Sequence, residues 1–273
     1  MKNNESHFCF ITPTAYLNEF ASQSSKHLCL AHLVDVDEDY AAFYASCRSK
    51  GDYVIMDNSA FELLEPYSPS KLIELGNKCF ANAIVLPDYP FKDSIETIDA
   101  AKLWAPYFKE EGFETVFVPQ SKTGDIGDWF RAYDFASSSD LVDIIGMSIL
   151  GIPNALPHIP ASYSRVVMTQ LLKANGRFSN KRHHYLGLNA GPLLEIPPLL
   201  KMGALWSCDS SNPFWMGLLG HEYSHNTDSG LLVKKVHFPV QFDYQKQLND
   251  NTRRIIQHNF DFIKGIYKND SIT

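Results

Sequence analysis

Apolar residues in this chain fall in short runs rich in β-branched and aromatic side chains, most of which end on a small or polar residue that starts a loop. Eight such runs occur: FCFITP (8–13), HLCLAH (27–32), YVIMDN (53–58), AIVLPD (83–88), TVFVPQ (115–120), IIGMSI (144–149), HYLGLN (184–189) and ALWSCDS (204–210). Their length and composition predict strands. Between most of them apolar residues recur at helical spacing, as in SPSKLIELGNKCF (68–80) and SIETIDAAKLWAPYFKEEG (94–112). Strands alternating with helices predict a parallel sheet, and eight such units predict a (β/α)8 TIM-type barrel forming one domain over residues 1–273. A doubly wound open sheet is the rival architecture. No G-x-G-x-x-G follows any of the runs, which weakens that rival. No internal repeat, low-complexity tract or long linker divides the chain.

The balance of 45% hydrophobic and 20% charged residues is that of a globular protein. The longest uncharged stretches, such as Ile144 to Pro157, are broken by Gly, Pro and Asn and fall short of the ~20 apolar residues of a membrane span. The start, MKNNESHFCFITP, lacks the apolar core of a signal peptide, so a cytoplasmic protein with no membrane partner is expected. Five cysteines, Cys9, Cys29, Cys47, Cys79 and Cys208, are odd in number and show no pairing logic, which predicts reduced, mostly buried thiols. A net charge of −7 argues against loose, charge-driven nucleic-acid binding but leaves room for a local basic groove.

In a parallel barrel, chemistry sits at the carboxyl ends of the strands. The predicted exits carry Asp57, Asp88, Gln120, Ser148, Asn189 and Asp209. Any one Asp has an ordinary alternative role, capping the helix that follows its strand. Three carboxylates, with Gln120 and the Gly146-Met147 pair at equivalent depth, point instead to a shared pocket.

The segments VIMDNSAF, AIVLPDYP, FVPQS, IIGMSI, HYLGLNAG and LWSCDSS, in this order over roughly residues 50 to 215, resemble the tRNA-guanine transglycosylase superfamily. Within it they are most similar to the compact phage-type DNA transglycosylases that exchange guanine for a 7-deazaguanine. The resemblance implies that Asp209 is the nucleophile forming a covalent glycosyl-enzyme. It implies that Asp57 protonates the departing base and deprotonates the incoming one. Asp88 would read the base edge, while Gln120 and the backbone at Gly146 donate to its O6 carbonyl. Met147 could cover the ring face, although ordinary core packing is its commoner role. The partners implied are DNA or, alternatively, tRNA, together with the free 7-deazaguanine base, and no cofactor is expected. A phage-encoded chain would work in the host cytoplasm.

The chain departs from the tRNA enzymes in three places. Nothing reproduces their three-cysteine, one-histidine zinc spacing, so no metal and no zinc subdomain is expected, and its absence is compatible with a monomer. The family's glycine pair after the first aspartate is replaced by Asn58-Ser59-Ala60, and the basic segment after the nucleophile by Ser210-Ser211-Asn212-Pro213. A nucleotide lifted from a duplex needs its backbone held, and Lys173, Arg177, Lys181 and Arg182 in KANGRFSNKRHH (173–184) are the candidates, on the presumed catalytic rim. Lys234-Lys235 and Arg253-Arg254 are weaker ones.

Two other functions compete. His221-Glu222-Tyr223-Ser224-His225 is a literal H-E-x-x-H, which on a helix would place two zinc ligands on one face of a hydrolase. No glutamate follows Glu222 as a third ligand, and Asp228 stands where the extended motif requires glycine, although His258 or Asp243 could ligate. The second is a non-catalytic module that binds guanine-like bases in the same pocket.

Overall fold

The computed structural model describes residues 7–63, 65–188, 191–231 and 240–270. Each expected run overlaps one strand: β1 (Phe8–Phe10), β2 (Lys26–Leu30), β3 (Tyr53–Asp57), β4 (Ala83–Val85), β5 (Glu114–Phe117), β6 (Ile144–Gly146), β7 (Arg182–Tyr185) and β8 (Ser207–Ser210). All ladders are parallel and follow the order β1-β8-β7-β6-β5-β4-β3-β2. The two ends of that order, β1 and β2, lie side by side, so the sheet curls into a nearly closed barrel rather than a doubly wound sheet.

Helices connect the strands: α1 (Ala31–Val36) and α2 (Glu38–Ser49) after β2, α3 (Ala60–Leu63) and α4 (Pro69–Cys79) after β3, α5 (Ser94–Glu110) after β4, and α6 (Ile126–Ser138) after β5. There follow α7 (Gly151–Ala155) and α8 (Ala161–Ala174) after β6, α9 (Pro192–Lys201) after β7, and α10 (Asn212–Leu218) and α11 (Asp250–Asp270) after β8. Local chemistry fixes their ends. Ser68 caps α4 by accepting from Lys71 N, with Pro69 in the first turn, and Asp93 caps α5 by accepting from Ile95 N. Leu72, Leu75 and Cys79 then form the buried stripe of α4.

The period-two alternation of the strands separates two apolar layers. Leu28 and Leu30, Ile55, Ala83 and Val85, Val116 and Val118, and Ile144 fill the barrel interior, while Met56, Ile84, Phe117, Ile145, Tyr185 and Cys208 pack against the helices. At the amino-terminal end the Arg182 guanidinium donates to Glu114 at 2.7 Å and lies 4.9 Å over the Trp206 ring, closing the floor. All five cysteines are free and buried. Among the described residues no helix is long and apolar enough to cross a membrane.

The C-terminal helix is seated through Gly217. A methyl group there would stand 2.6 Å from Ile256 Cγ1 and 2.7 Å from Ile256 Cα, so α10 and α11 touch at a point where no side chain fits. Gly217→Ala is expected to lower stability by about 1–3 kcal/mol through overpacking. The check is a reduced urea midpoint at unchanged m-value.

Candidate functional site

The strand exits enclose a cavity of about 530 Å³, a size suited to a small molecule. Its floor is apolar, made by Ile11, Leu28, Leu30, Val85, Val118 and Leu186 from the barrel interior. Above that floor stand His32, Asp57, Asn58, Asp88, Gln120, Ser148 and Asp209. Val240 and Phe242 lie across one side, the Phe242 ring meeting His32 edge-on at 6.3 Å.

Register brings the carboxylates inward. Asp57 pairs with the inward Leu30, and Asp209 with the inward Cys9, so both share the interior parity of their neighbours. Asp209 Oδ1 accepts from His184 Nε2 at 3.1 Å and from the Gly187 backbone N–H at 2.9 Å. His184 is itself fixed by Ser207 Oγ, 2.7 Å from its Nδ1. Among the described residues no hydrogen bond reaches Oδ2, the second oxygen of Asp209.

Asp88 has different surroundings. Asn58 Nδ2 donates to its Oδ1 at 2.7 Å and Gln120 Nε2 to its Oδ2 at 2.6 Å. Gln120 Oε1 is buried without a partner and sits where only a glycine at position 151 leaves room, since a Cβ there would be 2.8 Å away. Burial raises the Asp88 carboxyl above the ordinary carboxylate range, against the lowering effect of the Asn58 and Gln120 N–H groups. A carboxyl with a raised folded-state value contributes stability that is fully present at low pH and is lost as pH rises through that value. Wild type is therefore expected to lose stability relative to Asp88→Asn as pH rises out of the acid range. Urea unfolding of both proteins across pH checks this, and parallel curves would refute it.

His32, at the exit of β2, also faces the cavity. Ser59 Oγ accepts the His32 backbone N–H at 3.1 Å, so its own hydroxyl proton is available to His32 Nδ1 at 2.9 Å, which places the ring proton on Nε2. Burial lowers its pKa below the ordinary imidazole value, so the ring is neutral near pH 7. Ser59 holds this contact from a left-handed backbone with φ 59°, a conformation few residues other than glycine adopt.

Behind the pocket lies a buried ion pair. Arg165 on α8 and Glu195 on α9 are joined at 2.5 Å and 2.7 Å. The same guanidinium donates to the carbonyls of Met147, Leu186 and Gly187. Burial opposes its charge, and the Glu195 carboxylate more than offsets this, holding Arg165 above its ordinary value. Arg165 thereby pins the exits of β6 and β7, including the Gly187 unit whose N–H holds Asp209.

Of the residues singled out in the sequence, Asp57, Asp88, Gln120, Ser148 and Asp209 line this cavity, and Asn189 lies outside the described residues. Gly146 and Met147 do not line it. Gly146 faces the interior below the pocket, where a Cβ would stand 2.8 Å from Val118 Cγ2, and Met147, one residue on, packs in the outer layer against the helices. The basic segment is on the opposite end of the barrel, because a connection leading from α8 into β7 arrives at the amino-terminal face. There Lys181 Nζ donates to the carbonyls of Ala136, Ser139 and Val142, Arg182 pairs with Glu114, Arg177 with Asp134, and Lys173 covers the Phe178 ring. These four residues hold the scaffold and are not a backbone-binding rim. Arg253 pairs with Glu19 and Arg254 with Glu222, while Lys234-Lys235 lies outside the described residues.

The H-E-x-x-H segment forms no helix, so its histidines do not share a face. Residues 221–225 run through a short extended and turn segment in which Tyr223 bridges Leu231, Glu222 pairs with Arg254, and His225 packs on Phe262. His258 Nε2 is bonded to the Tyr223 carbonyl at 2.8 Å. The zinc-hydrolase reading thus lacks its geometry. His32, Asn58 and His184 were missed by sequence. His32 was open to the strand-exit rule itself, whereas His184 lies two residues before its exit and no local signal marks it.

No protein-family profile and no curated protein sequence matches the chain. Solved structures match by fold. An HpcH/Hpal aldolase/citrate lyase family protein from Burkholderia cenocepacia J2315 is 9% identical with TM-score 0.50, over 79% of this chain and 91% of that one. N-acetylneuraminate lyase from Fusobacterium nucleatum is 9% identical with TM-score 0.46, over 77% and 69% of the two chains. The N-acetylneuraminate lyase from Mycoplasma synoviae is 10% identical with TM-score 0.44, over 97% and 98%. At these identities the likeness shows the barrel fold alone. The resemblance drawn from the spaced motifs is corrected on this ground: no family profile or curated sequence supports a guanine transglycosylase, and the barrel that matches at TM-score 0.50 is an aldolase/citrate lyase family protein. The base-exchange function, on DNA or tRNA, the guanine-binding module and the phage-DNA-modification role fall with it. The short motifs mark strand exits, which any barrel of this kind possesses.

Proposed function

We propose that the chain is an enzyme whose barrel mouth transfers protons to and from an uncharged or cationic small molecule, in an isomerisation or elimination. The observation that carries this reading is the pair of carboxylates in unlike surroundings within one cavity. Asp88 is sealed between two amides with its pKa raised, and Asp209 is tethered through one oxygen by His184 and Gly187. In this reading Asp209 Oδ2 takes the proton, and the neutral His32 donates from Nε2 to the oxygen on which charge develops. Asp88 and Gln120 orient the substrate, Gln120 Oε1 accepting the donor it lacks.

Charge sets the substrate class. Three carboxylates line the cavity and no lysine or arginine does among the described residues, so an anionic substrate meets repulsion without a partner. The same lining offers no amine for Schiff-base chemistry there. The test is incubation of the purified chain in D2O with a panel of neutral, cationic and anionic hydroxy and keto compounds, following deuterium incorporation at carbon by mass spectrometry. Exchange into neutral or cationic members that is lost in Asp209→Asn supports the reading. Exchange that survives Asp209→Asn, or is confined to anions, refutes it.

A further inference from the structure

A second site lies away from the barrel mouth, at the amino-terminal end of β2. His27 on β2, Cys47 at the end of α2 and Asp52 in the turn before β3 bring one imidazole nitrogen, one sulfur and one carboxylate oxygen within 4.8 Å of one another. His27 Nε2 lies 3.1 Å from Asp52 Oδ2. The chain builds this triangle deliberately in its backbone. Helix α2 ends at Ser49, Gly51 turns with φ +91°, and the Asp52 N–H returns to the Cys47 carbonyl at 3.1 Å, which places Cys47 and Asp52 together. Pairing of β2 with β3, with Lys26 opposite Tyr53, then sets His27 beside both.

We propose that His27, Cys47 and Asp52 bind a divalent metal ion of the zinc class. The donor set is nitrogen, sulfur and oxygen, which suits a borderline ion such as Zn²⁺ and not Mg²⁺ or Ca²⁺, whose sites are built from oxygen. Zn–N and Zn–O bonds of about 2.0–2.1 Å fit the 3.1 Å separation of the histidine and aspartate atoms, and the Cys47 sulfur lies within 4.8 Å of both, near the span of one Zn–N and one Zn–S bond of about 2.3 Å. The environment of His27 is otherwise poor in polar groups: Phe43 and Tyr44 pack edge-on against the ring, and Nδ1 is buried without a partner. The Asp52 side chain is 23% exposed, which gives the ion an entry path and leaves the fourth position to water. Binding replaces the Cys47 S–H bond by a metal–sulfur bond and releases that proton to solvent. The ion would tie β2, α2 and the turn before β3 together at the end of the barrel remote from the cavity.

The test is titration of chelator-treated full-length protein with Co²⁺ as spectroscopic probe and Zn²⁺ as competitor. The expected result is one equivalent of Co²⁺ with a sulfur-to-metal charge-transfer band, displaced by Zn²⁺. Cys47→Ser should abolish the band, and Asp52→Asn, at a partly exposed position that tolerates change, should weaken affinity at least about tenfold with the circular dichroism unchanged. Absence of stoichiometric binding, or binding with no sulfur band, overturns the proposal. So does affinity unaltered in Asp52→Asn. His221→Ala and His225→Ala should leave the titration unchanged, and a loss of binding there would overturn it by placing the ion at the other histidine segment.

Discussion

Arg165→Met is expected to lower stability by about 3–5 kcal/mol, the loss that follows when one member of a buried ion pair is removed and the other is left uncompensated. Glu195 and Arg165 are both buried, and the guanidinium also holds three carbonyls at the exits of β6 and β7. Glu195→Leu alone should lose a similar amount, since it strands the arginine. The double variant Arg165→Met/Glu195→Leu should be less destabilised than the sum, because an apolar pair of similar volume removes both desolvation penalties. Urea unfolding of the four proteins closes this cycle. Additive losses would show that the two side chains act independently and that the pair is not the unit that locks the pocket wall.

Asp209→Asn is expected to lower turnover by about 10²–10⁴-fold, the range for loss of a general base, with the fold intact. The asparagine oxygen can still accept from His184 Nε2 and Gly187 N–H, so geometry is kept while the charge is removed. His184→Phe should cost less, and chiefly in kcat, because it frees the carboxylate to rotate without removing it; His184 is a positioning residue. The measurement is steady-state kinetics on whichever compound exchanges deuterium, with KM and kcat separated. Asp209→Asn with wild-type kcat would place the chemistry elsewhere in the cavity.

Much of the site was legible because one rule covers it: residues at the carboxyl ends of parallel strands converge. That rule placed Asp57, Asp88, Gln120, Ser148 and Asp209 together, and the structure brings these five to one cavity. Met147 takes the core-packing role expected as its commoner one, because parity of the strand, not proximity to its end, decides which layer a side chain enters. The rule failed for Lys173, Arg177, Lys181 and Arg182, because a charged loop between two strands was assigned to the wrong face. Chain direction settles the matter, since a loop entering a strand is at its amino end. The transglycosylase likeness misled for a related reason. Its segments were strand exits, whose small, apolar and acidic residues recur wherever a barrel needs tight turns above a packed floor.

By itself the sequence determined the eight strands, the helices between them and hence the barrel, because period-two and period-3.6 apolar patterns are local and each strand carries its own. Only the tertiary structure decided which parity faces inward, that Asp209 is held by His184 and Gly187, that Arg165 and Glu195 meet, and that His27, Cys47 and Asp52 form a cluster. Each of these depends on residues brought together across the barrel or from successive connections, and their spacing in the chain carries no period from which the contact could be read.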